Sequence, residues 1–278
     1  MKYIFVNLKR FDVPAEYGGV NRISDPARWA ETIIGKTGPG LGKYEAAFTF
    51  FFPEAHVMQA AAAASKYRPR ISIGCQGVHW EDTAKGGNFG AFTASKPAAA
   101  LAALGCSSVI IGHCEERRSL AAVLGEAGVT GSTAAAAVNR ILGKEIAAAS
   151  ARNLKVLYCI GEKADEQDDW QNVLFAQIEA GLPASHGQGF AIGYEPVWAI
   201  GPGKTPPDRA HIEKIARYIK SKAGVPVVYG GGLKADNAEM LASVPEIDGG
   251  LIALTRFSGE IGFYPDEFLE IVDLYMRK

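Results

Sequence analysis

Short apolar runs alternate with longer stretches of helical spacing along the whole chain. The first run covers residues 2–8. Tyr3, Phe5, Asn7 and Lys9 share one face by the two-residue period of a strand, and that face turns from apolar to polar at its end. Further runs at 44–51, 71–75, 108–111, 155–160, 190–195, 225–229 and 247–252 read as buried strands. Between them the pattern predicts helices at 26–36, 54–66, 97–104, 165–180, 206–222, 234–243 and 266–276. Ser132 and Thr133 can cap one more, reaching Arg152. Asp25-Pro26 is a helix start, and Thr-Gly-Pro-Gly-Leu-Gly at 37–42 reads as a breaker that ends the first helix. Trp170, Val173, Leu174 and Ile178 form a core stripe. Eight strand–helix periods of about 35 residues predict an α/β fold, a (β/α)8 barrel. No linker or composition shift divides residues 1–278, so one domain is expected.

Composition narrows the function. A chain of 278 residues suits one such barrel, which needs roughly 250. A formal net charge of −1 points to neither nucleic acid nor a membrane surface. The longest apolar stretches, 46–52 and 60–64, fall short of the ~20 residues of a bilayer span. The first residues run straight into a strand pattern without a signal-peptide layout. Cys75, Cys106, Cys114 and Cys159 have no Cys-x-x-Cys spacing, which reads as reduced thiols in a cytoplasmic protein.

The candidate chemistry gathers at strand ends. Glu195 closes the strand Phe190-Ala191-Ile192 and is followed by Pro-Val-Trp and Gly-Pro-Gly-Lys. A carboxylate against apolar surface has its pKa raised toward the range useful to a base. Trp198 is a large ring on a loop, and Gly201 and Gly203 leave backbone N–H groups open to an anion. His113 stands after a strand and before a helix start. Helix N–H groups can donate to one ring nitrogen there, leaving the other N–H to polarise a carbonyl. Taken singly, each has a plainer reading: a solvated Glu, a structural His, and an exposed Lys at position 9.

Tyr-Glu-Pro-Val-Trp-Ala-Ile-Gly-x-Gly-Lys at 194–204 resembles the flexible-loop signature of the triosephosphate isomerase family. Asn7-Leu8-Lys9 resembles the family's Asn-x-Lys, and Gly112-His113-Cys114-Glu115-Glu116-Arg117-Arg118 its Gly-His-Ser-Glu-Arg-Arg. Cys159-Ile160-Gly161-Glu162 matches a fifth-loop motif that is mainly structural in the family. The resemblance implies a TIM barrel that isomerises a phosphorylated sugar, in glycolysis and gluconeogenesis, without metal or organic cofactor. It assigns the base to Glu195, the electrophile to His113 and a fixed positive charge to Lys9. Asn7 would orient Lys9, and Glu115 would brace it by charge pairing. A lid over residues 196–204 would exclude water and hold the phosphate, chiefly through the Gly201 N–H.

The resemblance also implies a homodimer, docked through the loop at 76–93 from Gln76 to Thr93, with His79 as a loop or interface residue. In that loop the stretch 83–89 is longer than usual, with Lys85-Gly86-Gly87-Asn88 added, and Ala94-Ser95-Lys96 replaces Gly-Glu-Ile. Cys114 replaces Ser, a better donor, and Glu116 stands where the first Arg is expected. Gly232 replaces a phosphate-binding Ser and could still donate through its N–H. The largest departure follows strand eight. Ala253 and Leu254 replace a Gly-Gly pair that presents N–H groups to phosphate at a short helix start. Arg256 could offer a charged fork to the anion or form a surface salt bridge. Three readings follow: an isomerase of triose phosphates, an isomerase of another short ketose phosphate such as a tetrulose phosphate, or a non-catalytic sugar-phosphate-binding barrel.

Overall fold

Both faces of β1 (Lys2–Asn7) are buried, as a parallel strand with helices outside requires. Ile4 and Val6 join the layer between sheet and helices, while Phe5 faces the barrel interior with Tyr3 packed beside it. The same division holds around the sheet. β2 (Ala46–Phe52), β3 (Ile71–Gln76), β4 (Ser108–Ile111), β5 (Lys155–Ile160), β6 (Phe190–Tyr194), β7 (Val227–Tyr229) and β8 (Gly249–Ile252) follow in order. Each pairs in parallel with its neighbours, and β8 pairs with β1, closing an eight-stranded barrel. The structure is a computed structural model describing residues 1–67, 70–182, 189–201 and 203–277.

Phe5, Phe51, Ile110, Leu157, Cys159, Ala191, Val228 and Leu251 fill the interior. The Phe5 and Phe51 rings stack with centroids 5.8 Å apart. Gly74 makes room for Phe51: a Cβ at that position would lie 2.5 Å from its ring. The barrel is therefore a packed core whose free chemistry lies at its rims.

The helices are α1 (Trp29–Leu41), α2 (Glu54–Tyr67), α3 (Ala98–Ala103), α4 (Cys114–Glu126), α5 (Gly131–Ala151), α6 (Trp170–Gly181), α7 (Arg209–Ala223), α8 (Ala238–Ala242) and α9 (Pro265–Met276). α1 corrects the sequence reading, because it runs on through the expected breaker at 37–42. Ile33, Ile34, Thr37, Gly38 and Leu41 are buried there, and Thr37 Oγ1 donates back to the Ile33 carbonyl. Gly40 lets Leu269 of α9 sit against the helix, 2.8 Å from where a Cβ would be. Tertiary burial outweighs the poor propensity of the segment. Two helices, α4 and α5, link β4 to β5.

The expected helix at 234–243 shrinks to α8. Asn237 explains this: its Nδ2 donates to the Gly232 carbonyl and its Oδ1 accepts from the Lys234 N–H, fixing a loop. No helix forms between Ile252 and Pro265; Thr255 and Arg256 instead bond back to Gly262. Among the described residues no helix is long and apolar enough to cross a membrane.

Candidate active site

Asn7 is the last residue of β1 and Lys9 stands two residues beyond it. Lys9 has a left-handed backbone, φ 39°, and its N–H donates to Asn7 Oδ1 at 3.1 Å. Such a conformation is costly for a residue with a side chain and persists where its surroundings impose it. Here the short Asn side chain supplies the local bond, and Gln76 Nε2 donates to the Lys9 carbonyl at 3.0 Å. Lys9 Nζ then reaches Glu115 Oε1 at 2.7 Å, across from the start of α4.

His113 is the N-cap of α4, and its Nδ1 accepts from the Glu115 N–H at 3.3 Å. An Nδ1 that accepts places the ring proton on Nε2. Nε2 lies 3.1 Å from Glu195 Oε1, close enough for an ion pair but not aligned as a hydrogen bond, so Oε1 has no hydrogen-bond partner among the described residues. Oε2 accepts from the Cys114 N–H at 2.8 Å. Glu195 follows β6 directly and is 1% exposed. Burial raises its pKa, opposed by His113, the Cys114 N–H and Lys9. Two glycines admit it. A Cβ at Gly161 would lie 1.7 Å from the Glu195 carbonyl oxygen, and one at Gly230 would lie 2.7 Å from its Cγ.

His113, Cys114 and Glu195 place three ligand-type atoms within 4.8 Å of one another. Burial, and then Glu195, push the Cys114 thiol up to about 12. A buried carboxylate beside an N–H donor suits the exchange of a proton with a bound molecule.

Two departures from the family pattern meet in space. Lys96 Nζ donates to the Gln76 carbonyl, and both Lys96 Nζ and Glu116 Oε1 flank Gly77. Glu116 Oε2 accepts from the Gly112 N–H at 2.5 Å, holding the residue before His113. Behind it lies Glu145, 5% exposed, close enough for the two carboxyls to influence one another. Burial raises both carboxyls, Glu145 to about 9. Arg117 donates to the Gly112 carbonyl at 2.8 Å, Asn139 Oδ1 at 2.8 Å, the Tyr158 hydroxyl at 3.0 Å and the Cys159 carbonyl at 3.0 Å.

Glu162 has more than the background role its motif implied. Its Oε1 accepts from the Tyr194 hydroxyl at 2.9 Å and from Trp198 Nε1 at 2.7 Å. His211 Nε2 lies 3.1 Å from the same hydroxyl. Glu162 thus anchors the first part of the loop after β6. A signal existed in the sequence, since Glu162, like Glu195, is an acid within two residues of the end of a buried strand.

The expected anion ligands are less gathered. Gly201 is exposed with φ 120°, and Gly232 has φ 99°. Pro202, inside the expected lid, lies outside the described residues. Ala253 and Leu254 are half-buried in the loop after β8, which lacks the short helix expected there. Arg256 forms the salt bridge rather than the free fork: its NH2 meets Glu267 Oε1 at 2.5 Å, and its guanidinium lies 3.9 Å from the Tyr264 ring centroid.

A closed (β/α)8 barrel with its titratable side chains gathered at the C-terminal strand ends is the architecture of a barrel enzyme. The family model for triosephosphate isomerase matches residues 27–274. The triosephosphate isomerase of Halorhodospira halophila is 37% identical over 227 residues, covering 76% of this chain and 80% of that protein. That of Chlorobium luteolum is 32% identical over 242 residues, covering 83% and 87%. The crystal structure of triosephosphate isomerase from Bartonella henselae superposes with a TM-score of 0.73 over 99% of both chains at 24% identity, a likeness of fold. The chain belongs to the triosephosphate isomerase family and is an intramolecular oxidoreductase acting between aldose and ketose phosphates.

Proposed function

We propose that the enzyme interconverts D-glyceraldehyde 3-phosphate and dihydroxyacetone phosphate through an enediolate. Glu195 takes a proton from the carbon beside the carbonyl and returns it to the neighbouring carbon. The Nε2–H of His113 polarises the carbonyl oxygen, and Lys9, oriented by Asn7 and braced by Glu115, stabilises the developing negative charge. The loop at 196–204 covers the substrate, and the N–H groups of Gly201, Gly232, Ala253 and Leu254 face its phosphate. The observation that carries this reading is the buried Glu195 Oε1, without a hydrogen bond among the described residues and 3.1 Å from His113 Nε2. One carboxylate oxygen is fixed by backbone while the other is left for a proton.

The test is turnover of glyceraldehyde 3-phosphate by the wild type and by Glu195→Asp, which draws the carboxylate back by one methylene. Turnover should fall by about 100-fold or more, the scale of a misplaced reacting group. Unchanged turnover refutes the base assignment. The helix-free loop after β8 also supports trial of a longer ketose phosphate, such as a tetrulose phosphate, in the same assay.

The loop at 76–93 supports a homodimer. It presents Trp80, 42% exposed, and Phe89, 90% exposed, and is braced by Arg152 on Asp82. Cys75, Cys106, Cys114 and Cys159 are all unpaired thiols, which supports a reducing, cytoplasmic setting.

A further inference from the structure

Barrels of this class commonly seat a phosphate between the loops after strands seven and eight, helped by the N-terminus of a short extra helix. This chain has no such helix after β8, and Glu267 already occupies Arg256. A different cation stands at the same place. Lys234, half-buried, belongs to the loop after β7, and among the described residues its ammonium forms no ion pair. Its Nζ lies 4.2 Å from the ring centroid of Phe257, a residue of the loop after β8. A single exposed contact of this kind is weak and leaves the ammonium's N–H donors available.

The position is built rather than accidental. Gly230 packs on Glu195 and Gly231 on Pro196, so the β7 loop adjoins the proposed base. Two residues on, the Lys234 stem passes Gly232, with Cε 3.4 Å from where a Cβ would be. Leu233 donates to the Leu251 carbonyl and so ties the loop to β8. Asn237 accepts from the Lys234 N–H at 2.8 Å and fixes the backbone from which the side chain departs.

We propose that Lys234 is a phosphate-binding residue of this enzyme, its ammonium steadied by Phe257 and supplying the charge that the helix-free loop after β8 cannot. The assignment rests on the sugar-phosphate reading above and names a ligand for it. A point charge on a flexible stem also tolerates a phosphate at more than one distance from the reacting carbon than a ring of fixed backbone donors does.

Calorimetric titration with 2-phosphoglycolate, and with glycolate as the counterpart lacking phosphate, tests this on the full chain. Lys234→Met should weaken phosphoglycolate binding about 10- to 100-fold, the range for one charge-assisted hydrogen bond, and leave glycolate binding unchanged. Lys234→Arg should restore most of the affinity. Lys222→Met, which removes another lysine lying over an aromatic ring but on α7, should change nothing. Kinetically, Lys234→Met should raise KM for the triose phosphate while turnover of unphosphorylated glyceraldehyde stays level. If the wild type prefers phosphoglycolate and Lys234→Met prefers it equally, the assignment to Lys234 is overturned and the sugar-phosphate reading stands. If the wild type does not distinguish phosphoglycolate from glycolate, both fall.

Discussion

Replacing Glu145 with Gln should stabilise the protein at neutral pH, and increasingly so as pH rises. Glu145 is buried, with its carboxyl raised from an ordinary value of 4.5 to about 9, chiefly by desolvation and then by Glu116. In the unfolded chain it ionises near its ordinary value. Between the two values the folded state therefore binds a proton that the unfolded state has released. Stability then falls as pH rises through that window. At pH 7 the gap above 4.5 is about 2.5 units, which at about 1.4 kcal/mol per unit amounts to about 3 kcal/mol.

A Gln at 145 fills the same space and carries no such proton. Wild type and variant should differ by less than about 1 kcal/mol at pH 5, and the gap should widen by about 4 kcal/mol by pH 8. Urea unfolding at four pH values, with the slope on denaturant held common, measures this. The Gly112 N–H keeps its acceptor, so kcat/KM should stay within about threefold. A difference that stays flat between pH 5 and pH 8 would show that Glu145 is ionised in the folded protein and would refute its raised carboxyl.

Two further outcomes test the walls of the site. Gly161→Ala should drive the Glu195 backbone aside, because the new Cβ would sit 1.7 Å from its carbonyl oxygen. It should lower kcat/KM by about 100-fold or more, whereas Gly42→Ala, with open space around the added carbon, should leave kinetics unchanged. Cys114, pushed up to about 12 by burial and by Glu195, should react with iodoacetamide at pH 8 far more slowly than a free thiol, as followed by mass spectrometry. Cys114→Ser should keep activity within about threefold, because Glu195 is held by the backbone N–H of this residue and not by its side chain.

The barrel and the ends of its strands were legible because both rest on local rules. A two-residue period marks the inward face of β1 up to Asn7, and an acid or histidine within two residues of the end of an apolar run marks a rim position, as with Glu195 and His113. What stayed hidden depends on contacts distant in sequence. Lys96 and Glu116 each looked like an isolated departure, yet both flank Gly77 in space. Glu162 sat in a motif read as structural, and its partners Tyr194 and Trp198 come from the next strand and loop. α1 runs through Pro39 and three glycines because α9 and the sheet cover it, a cause absent from its own residues. The role of Arg256 is set by Glu267 of α9, an acid that nothing in the residues around Arg256 marks as its partner.

Arg117 bears on how this barrel can be rebuilt. Loops at the rim of such a scaffold are often treated as exchangeable cassettes. This guanidinium laces the turn carrying the imidazole to the neighbouring fifth strand and, through Asn139, to the long helix α5. Transplanting the turn without its arginine, or the arginine without Tyr158 and Asn139 to receive it, would leave the imidazole unaimed. The unit that can be moved between barrels is therefore the whole span from β4 to β5, and nothing shorter.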